Sequence, residues 1–126
     1  MRIVFIGAGG FIGTMLRYLV SGAVQNAMRN ATFPLGTAVV NLSGCFVMGF
    51  LAELAKSHGF LTDASRAFLM IGVLGGYTTF SAFGNETMNL FRSGESFLAV
   101  VNVTLQVVLG LACVWLGRDC AHLIWR

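Results

Sequence analysis

Gly72-Val73-Leu74-Gly75-Gly76-Tyr77-Thr78-Thr79-Phe80-Ser81-Ala82-Phe83-Gly84-Asn85-Glu86 is the stretch on which the reading of this chain turns. It lies inside a long apolar segment, yet it holds four glycines, four hydroxyls (Tyr77, Thr78, Thr79, Ser81) and Asn85. Such a composition reads as a loop more than as a helix core. Gly75-Gly76 followed by Tyr77-Thr78-Thr79 has low helix propensity. In a bilayer, a backbone that leaves its helix must find partners in protein or in a water-lined cavity. The stretch therefore predicts a transmembrane helix broken near the bilayer midplane over residues 75–79, with a binding site or pore at the break.

The rest of the chain supports a membrane setting. Of 126 residues, 56% are hydrophobic and only 10% charged, and the mean hydropathy is +0.79. Soluble domains carry roughly 25% charged residues, so too few charges remain here to coat a water-exposed surface. Four apolar segments, at residues 3–22, 33–55, 61–91 and 97–117, make up one domain over residues 1–126. Each approaches or exceeds the roughly 20 residues that cross about 30 Å of hydrocarbon. The expected fold is an all-α membrane protein of four transmembrane helices, with both termini on one side. The first segment does not read as a cleaved leader, because glycines interrupt its apolar core.

Arg2, Lys56, Arg66, Arg118 and Arg126 fall on the side of the termini, and Arg17, Arg29 and Arg92 on the other. So even a distribution is a weak positive-inside signal. It permits insertion both ways, and hence an antiparallel dual-topology homodimer with its two-fold axis in the membrane plane. The basic residues are scattered at membrane flanks, which is no footprint for nucleic acid. Cys45, Cys113 and Cys120 have no metal-like spacing; Cys45 and Cys113 read as small packing residues, and His58 and His122 as interfacial.

Gly7-Ala8-Gly9-Gly10-Phe11-Ile12-Gly13 imitates a dinucleotide-binding loop, but Ile12 occupies the place of the third glycine. The first carboxylate in the chain is Glu53, so no acidic residue follows at the distance that would hold a ribose. Read as a membrane helix, Gly9 and Gly13 form a small-xxx-small stripe that admits a close neighbour.

Polar groups inside a membrane are costly and face a partner or a pathway. Arg17 either snorkels to the interface or lends positive potential to a water-filled entrance. Thr37 and Asn41, four apart, share one helical face and either glue helices together or line a vestibule, with the Asn41 amide offered to an anion. At the break, half-helix ends expose carbonyls suited to a small cation and amides suited to an anion. Carbonyls from two antiparallel copies would converge on one ion. Phe80 and Phe83 flank Ser81 just after the break, as packing residues or as ring edges that greet an anion without trapping it. Asn102 and Gln106, again four apart, either continue a polar track or bond helices. Glu86, one turn past Phe83, is a candidate proton carrier. No catalytic constellation emerges, and an enzyme is not expected.

With these residues in place, GGYTTFSAFGNET (residues 75–87) and GTAVVNLSGCFVMG (residues 36–49) resemble the third-helix and second-helix motifs of the Fluc/CrcB family of bacterial fluoride channels. The likeness covers essentially the whole chain in length and segment order. It implies a fluoride-selective passive channel of the bacterial cytoplasmic (inner) membrane, a dual-topology dimer that lowers fluoride toxicity. It further implies a structural sodium ion, not transported, on the main-chain carbonyls of Gly75 and Thr78. The implied fluoride pathway passes Asn41, Phe80, Phe83 and hydroxyls such as Ser81, with Arg17 at a basic position near the vestibule; the polar residues Thr37, Thr79, Asn102 and Gln106 complete the candidate pathway. Ala82 stands where a threonine or serine is common, and Asn102 where some relatives have tyrosine. The alternative from another class is a small dual-topology exporter coupled to protons through Glu86. A four-crossing multidrug exporter would need a carboxylate early in its first helix, and none exists there.

Overall fold

Among its described residues, the computed structural model has four helical spans long and apolar enough to cross a membrane, the third running from Asp63 to Arg92. It describes all residues except His58, Phe60 and Arg126, and only the backbone of Ser57. The interfacial assignment of His58 and the charge of Arg126 lie outside the described residues. Helix α1 is Arg2–Ala27 and α2 is Leu35–Ser57. Helix α3 spans residues 63–77 and is composite: one α turn at Asp63–Arg66, a π-helical run at Ala67–Val73, and a short α segment at Leu74–Tyr77. Helix α4 is Phe80–Arg92. Helix α5, Ser96–Ile124, carries a second π-helical run at Leu105–Leu109. Among the described residues there is no strand.

The helices outrun their expected bounds. α1 extends to Ala27, beyond residue 22, and α5 to Ile124, beyond residue 117. Polar residues such as Gln25, Arg118 and Asp119 end an apolar pattern without ending a helix, since nothing in them breaks the backbone ladder.

Close contacts between glycines organise one half of the bundle. Gly9 and Gly13 of α1 face α3, where Gly72 and Gly76 repeat the same four-residue spacing. A methyl group on Gly13 would overlap the Val73 carbonyl, and one on Gly76 would overlap Gly10. The expected stripe on α1 is therefore matched by a second stripe on α3. This corrects the break: Gly75, Gly76 and Tyr77 are helical, and only Thr78 and Thr79 leave the helix. The glycines serve close approach to α1, and that packing overrides their weak propensity.

The other half is α2 against α5. Gly49 sits on the Val114 carbonyl and Gly117 on the Phe46 carbonyl. Connections are tight. Gln25 donates from Nε2 to the carbonyls of Ala31 (3.3 Å) and Phe33 (3.4 Å) and accepts from the Gly36 amide (3.2 Å), which holds the α1–α2 turn. Thr62 caps α3 by accepting from the Ser65 amide at 3.2 Å. Arg66 donates to the Ala55 carbonyl, at the cationic-favouring end of α2. Gly94, at φ 84°, reverses the chain after α4, a left-handed position where a side chain would be strained.

Candidate functional site

Between α3 and α4, Thr78 (φ −81°, ψ 155°) and Thr79 (φ −149°, ψ 113°) are extended. Two extended residues leave peptide groups without helical partners. Asn41 of α2 supplies them. Its Oδ1 accepts from the Thr79 amide at 2.8 Å, and its Nδ2 donates to the Thr79 carbonyl at 3.1 Å. One side-chain amide thus pairs both backbone groups of Thr79, as a neighbouring strand would. The Thr79 amide, given to Asn41, does not continue the helical ladder onto the Gly75 carbonyl. Thr79 then caps α4, its Oγ1 accepting from the Ala82 amide at 3.2 Å.

Thr79 divides two clefts. One, of about 310 Å³, is bounded by Asn41, Cys45, Thr78, Thr79, Phe80, Phe83 and Gln106, with Gly44, Met48, Val107 and Val114 completing an apolar wall. The other, of about 610 Å³, is more polar and brings together Thr14, Arg17, Tyr18 and Ser21 of α1, Thr37 of α2, and Ser81, Asn85 and Glu86 of α4. Arg17 reaches the break itself, its Nη1 lying 3.5 Å from the Thr78 carbonyl. Thr37 donates to Glu86 Oε1 at 2.6 Å, and Glu86 Oε2 is buried without a hydrogen-bond partner in the chain.

Most of the residues singled out from the sequence meet at this one place. Asn41, Thr79, Phe80, Phe83 and Gln106 line the first cleft; Thr37, Ser81, Arg17 and again Thr79 line the second. The two rings differ in setting. Phe83 is buried within the chain, whereas Phe80 is 83% exposed, although their centroids are 5.4 Å apart. Asn102 lines neither cleft. It is fully buried, donates to Thr87 Oγ1 at 2.9 Å and accepts from Gln106 Nε2 at 2.9 Å. Gly75 has open space where a side chain would begin, while Thr78 presents its carbonyl toward Arg17.

Sequence reasoning missed Thr14, Tyr18, Ser21 and Asn85 in the polar cleft and Thr87 behind the apolar one. A signal existed for the α1 group. Thr14, Arg17, Tyr18 and Ser21 recur at three- and four-residue steps, a polar stripe on an otherwise apolar helix. Ser43 and Tyr77 also pair across α2 and α3 at 3.0 Å. Among the described residues no group of three or more His, Cys, Asp or Glu side chains could hold a metal.

Comparison with known proteins gives the family. The family described as "CrcB-like protein, Camphor Resistance (CrcB)" matches residues 4–118. A "Fluoride-specific ion channel FluC" of Rhodospirillum rubrum is 44% identical, covering 98% of this chain and 97% of the relative. Proteins of the same name from Elusimicrobium minutum (94% and 92% covered) and Methylobacillus flagellatus (94% and 92%) are each 41% identical. A match running through all four spans, with relatives of the same length at this identity, makes the chain a multi-pass membrane protein of the CrcB family.

Proposed function

We propose that this protein is a fluoride-selective passive channel that releases fluoride from the cytoplasm and so lowers its toxicity. The observation that carries the reading is the Thr78-Thr79 interruption, bridged by Asn41 and flanked by a cleft on either side. Its family membership and the name carried by its relatives favour fluoride as the ion and a channel over an enzyme. Fluoride is small and strongly hydrated, so a pathway must replace its water with several donors. Amide, hydroxyl and ring-edge groups do this without a fixed charge that would trap the ion. Arg17, Thr37 and Ser81 line the approach; Thr79 and Asn41 form the narrow middle; Phe80, Phe83 and Gln106 line the continuation. Asn102 acts from behind, through Gln106. With the cell interior negative, passive flow runs outward.

The same reading places the interruption near the bilayer midplane and pairs two oppositely inserted copies of the chain in the bacterial cytoplasmic membrane. Phe80, 83% exposed, and Gly75, open on its outer side, are the surfaces such a pairing would cover. A structural sodium ion fits the donor set. The Gly75 carbonyl has lost the Thr79 amide to Asn41, leaving a neutral oxygen at a helix C-terminus, where partial negative charge accumulates. With the Thr78 carbonyl, and the same pair from a second copy, hard oxygen ligands would surround a monovalent cation. That ion would fix the assembly and take no part in conduction.

The alternative is a proton-coupled exporter, favoured by one observation: the unpartnered Oε2 of Glu86 in the polar cleft. Fluoride release from vesicles of purified protein separates the two. A channel passes fluoride at a rate set by voltage and unaltered by an imposed pH gradient, also in Glu86→Gln. Release that follows the pH gradient and stops in Glu86→Gln would replace the channel with the exporter.

A further inference from the structure

Five hydrogen bonds, all pointing the same way, run from the N-cap of α4 around the first cleft and back to that helix. The Thr79 amide donates to Asn41 Oδ1 (2.8 Å), and Asn41 Nδ2 donates to Gln106 Oε1 (2.7 Å). Gln106 Nε2 donates to Asn102 Oδ1 (2.9 Å), Asn102 Nδ2 to Thr87 Oγ1 (2.9 Å), and Thr87 Oγ1 to the Phe83 carbonyl (2.7 Å). The direction is fixed from both ends. A backbone amide only donates and a backbone carbonyl only accepts, so Thr79 dictates which way Asn41 faces, and Phe83 dictates the hydroxyl of Thr87. Asn102, buried between them, can satisfy both neighbours in one orientation alone.

This fixes what each group offers the cleft. Asn41 has two N–H bonds. One is held by the Thr79 carbonyl, and the other by Gln106 Oε1. Neither is free for an anion. The Thr79 partner belongs to the backbone of the break and cannot leave without exposing an unpaired peptide group. Gln106 is a side chain from another helix, bounding the cleft, and it can turn aside.

We propose that Gln106 is a built-in competitor for the anion: its carbonyl oxygen holds the anion's place on the Asn41 amide in the resting protein, and fluoride binds by displacing it. The inference rests on the fluoride-channel reading and gives Gln106 a role distinct from lining. It makes Gln106 a specificity-determining residue and Asn102 the positioning residue that aims it. Fluoride is a strong hydrogen-bond acceptor, compact enough to sit where an amide oxygen sat. Chloride is larger and a weaker acceptor, so it does not outcompete the carbonyl. The exchange replaces one N–H···O bond by one N–H···F bond and needs no proton transfer.

The test is the fluoride dependence of efflux from vesicles holding the full-length protein, with chloride efflux measured in parallel. Gln106→Met and Gln106→Ser both remove the competing amide oxygen, the serine hydroxyl being too short to reach Asn41 Nδ2 from the same position. Half-saturation should fall about five-fold, the weight of one neutral hydrogen bond, while chloride leakage rises. Gln106→Glu keeps the size but puts a carboxylate on the amide, so half-saturation should rise or flux vanish. Asn102→Leu, which leaves Gln106 unaimed, should behave as Gln106→Met does. A side-chain amide label on Asn41 gives a second readout: its resonance should respond to fluoride at lower concentration in Gln106→Met than in the native protein. Native half-saturation and chloride exclusion in the Met and Ser variants, with fluoride still passing, would overturn this inference and leave the channel standing. A native protein that passes no fluoride would overturn the channel reading, and this inference with it.

Discussion

Asn41 does at one residue what a strand partner does along a ladder. Its amide satisfies both the N–H and the C=O of Thr79, so replacing it with alanine leaves two half-buried peptide groups without their partner. Asn41→Ala should cost about 2–3 kcal/mol of stability in detergent, on the scale of unsatisfied buried groups, and should abolish fluoride flux. Unfolding midpoints and efflux rates check the two halves separately. The two phenylalanines should diverge. Phe83→Ile removes a buried ring and should lower both flux and stability, whereas Phe80→Ile should suppress flux and leave the fold of the single chain intact. Unchanged flux in both variants would remove the rings from the pathway.

Thr37, Asn41, Thr79 and Ser81 stand out in the sequence because a polar group inside an apolar run needs a reason, and the structure brings them to the two clefts. What the sequence could not convey was their pairing. The spacing of Asn102 and Gln106 left open a polar track or a bond between helices; Asn102 is wholly buried and bonds to Thr87, a residue with no signal beyond a single hydroxyl. Thr37 and Glu86 lie 49 positions apart and meet at 2.6 Å. Contacts of this kind depend on helix packing that one sequence does not encode locally.

At the scale of elements, glycine is what brings α1 and α3 together. Gly9 and Gly13 announce close approach by their spacing; Gly76 reads as part of the break because its low propensity hides the same four-residue spacing from Gly72. Gly13→Val should force the helices apart and cost at least about 1–3 kcal/mol, as overpacking does. Gly7→Val, where a side chain meets open space, is the matched control and should change little. Thermal unfolding of the two variants in detergent tests the comparison; equal effects would contradict it. The π-helical runs at Ala67–Val73 and Leu105–Leu109 were not legible. Such runs depend on one hydrogen bond being accommodated by neighbours, and Leu105–Leu109 includes Gln106, whose side chain is committed to α2 and to its own helix.

The whole molecule, as a single chain, leaves its proposed site half open. Phe80 is exposed and Gly75 faces open space, the surfaces that the proposed antiparallel pairing would cover. Gly75→Val should therefore fold as a single chain but assemble poorly, with cross-linking yield in membranes falling while helix content stays constant. Normal assembly of that variant would contradict a close two-fold contact at Gly75. The number of crossings, their order and the family were readable from composition and two motifs, since hydropathy and break residues act locally.

The most direct measurement of the central claim is fluoride and chloride release from liposomes reconstituted with this protein alone, with the potassium permeability set by valinomycin. Trapped fluoride should leave rapidly and chloride should stay, and Asn41→Ala should abolish the release. Retention of fluoride, or release of both ions alike, would contradict a fluoride path through the Thr78-Thr79 interruption.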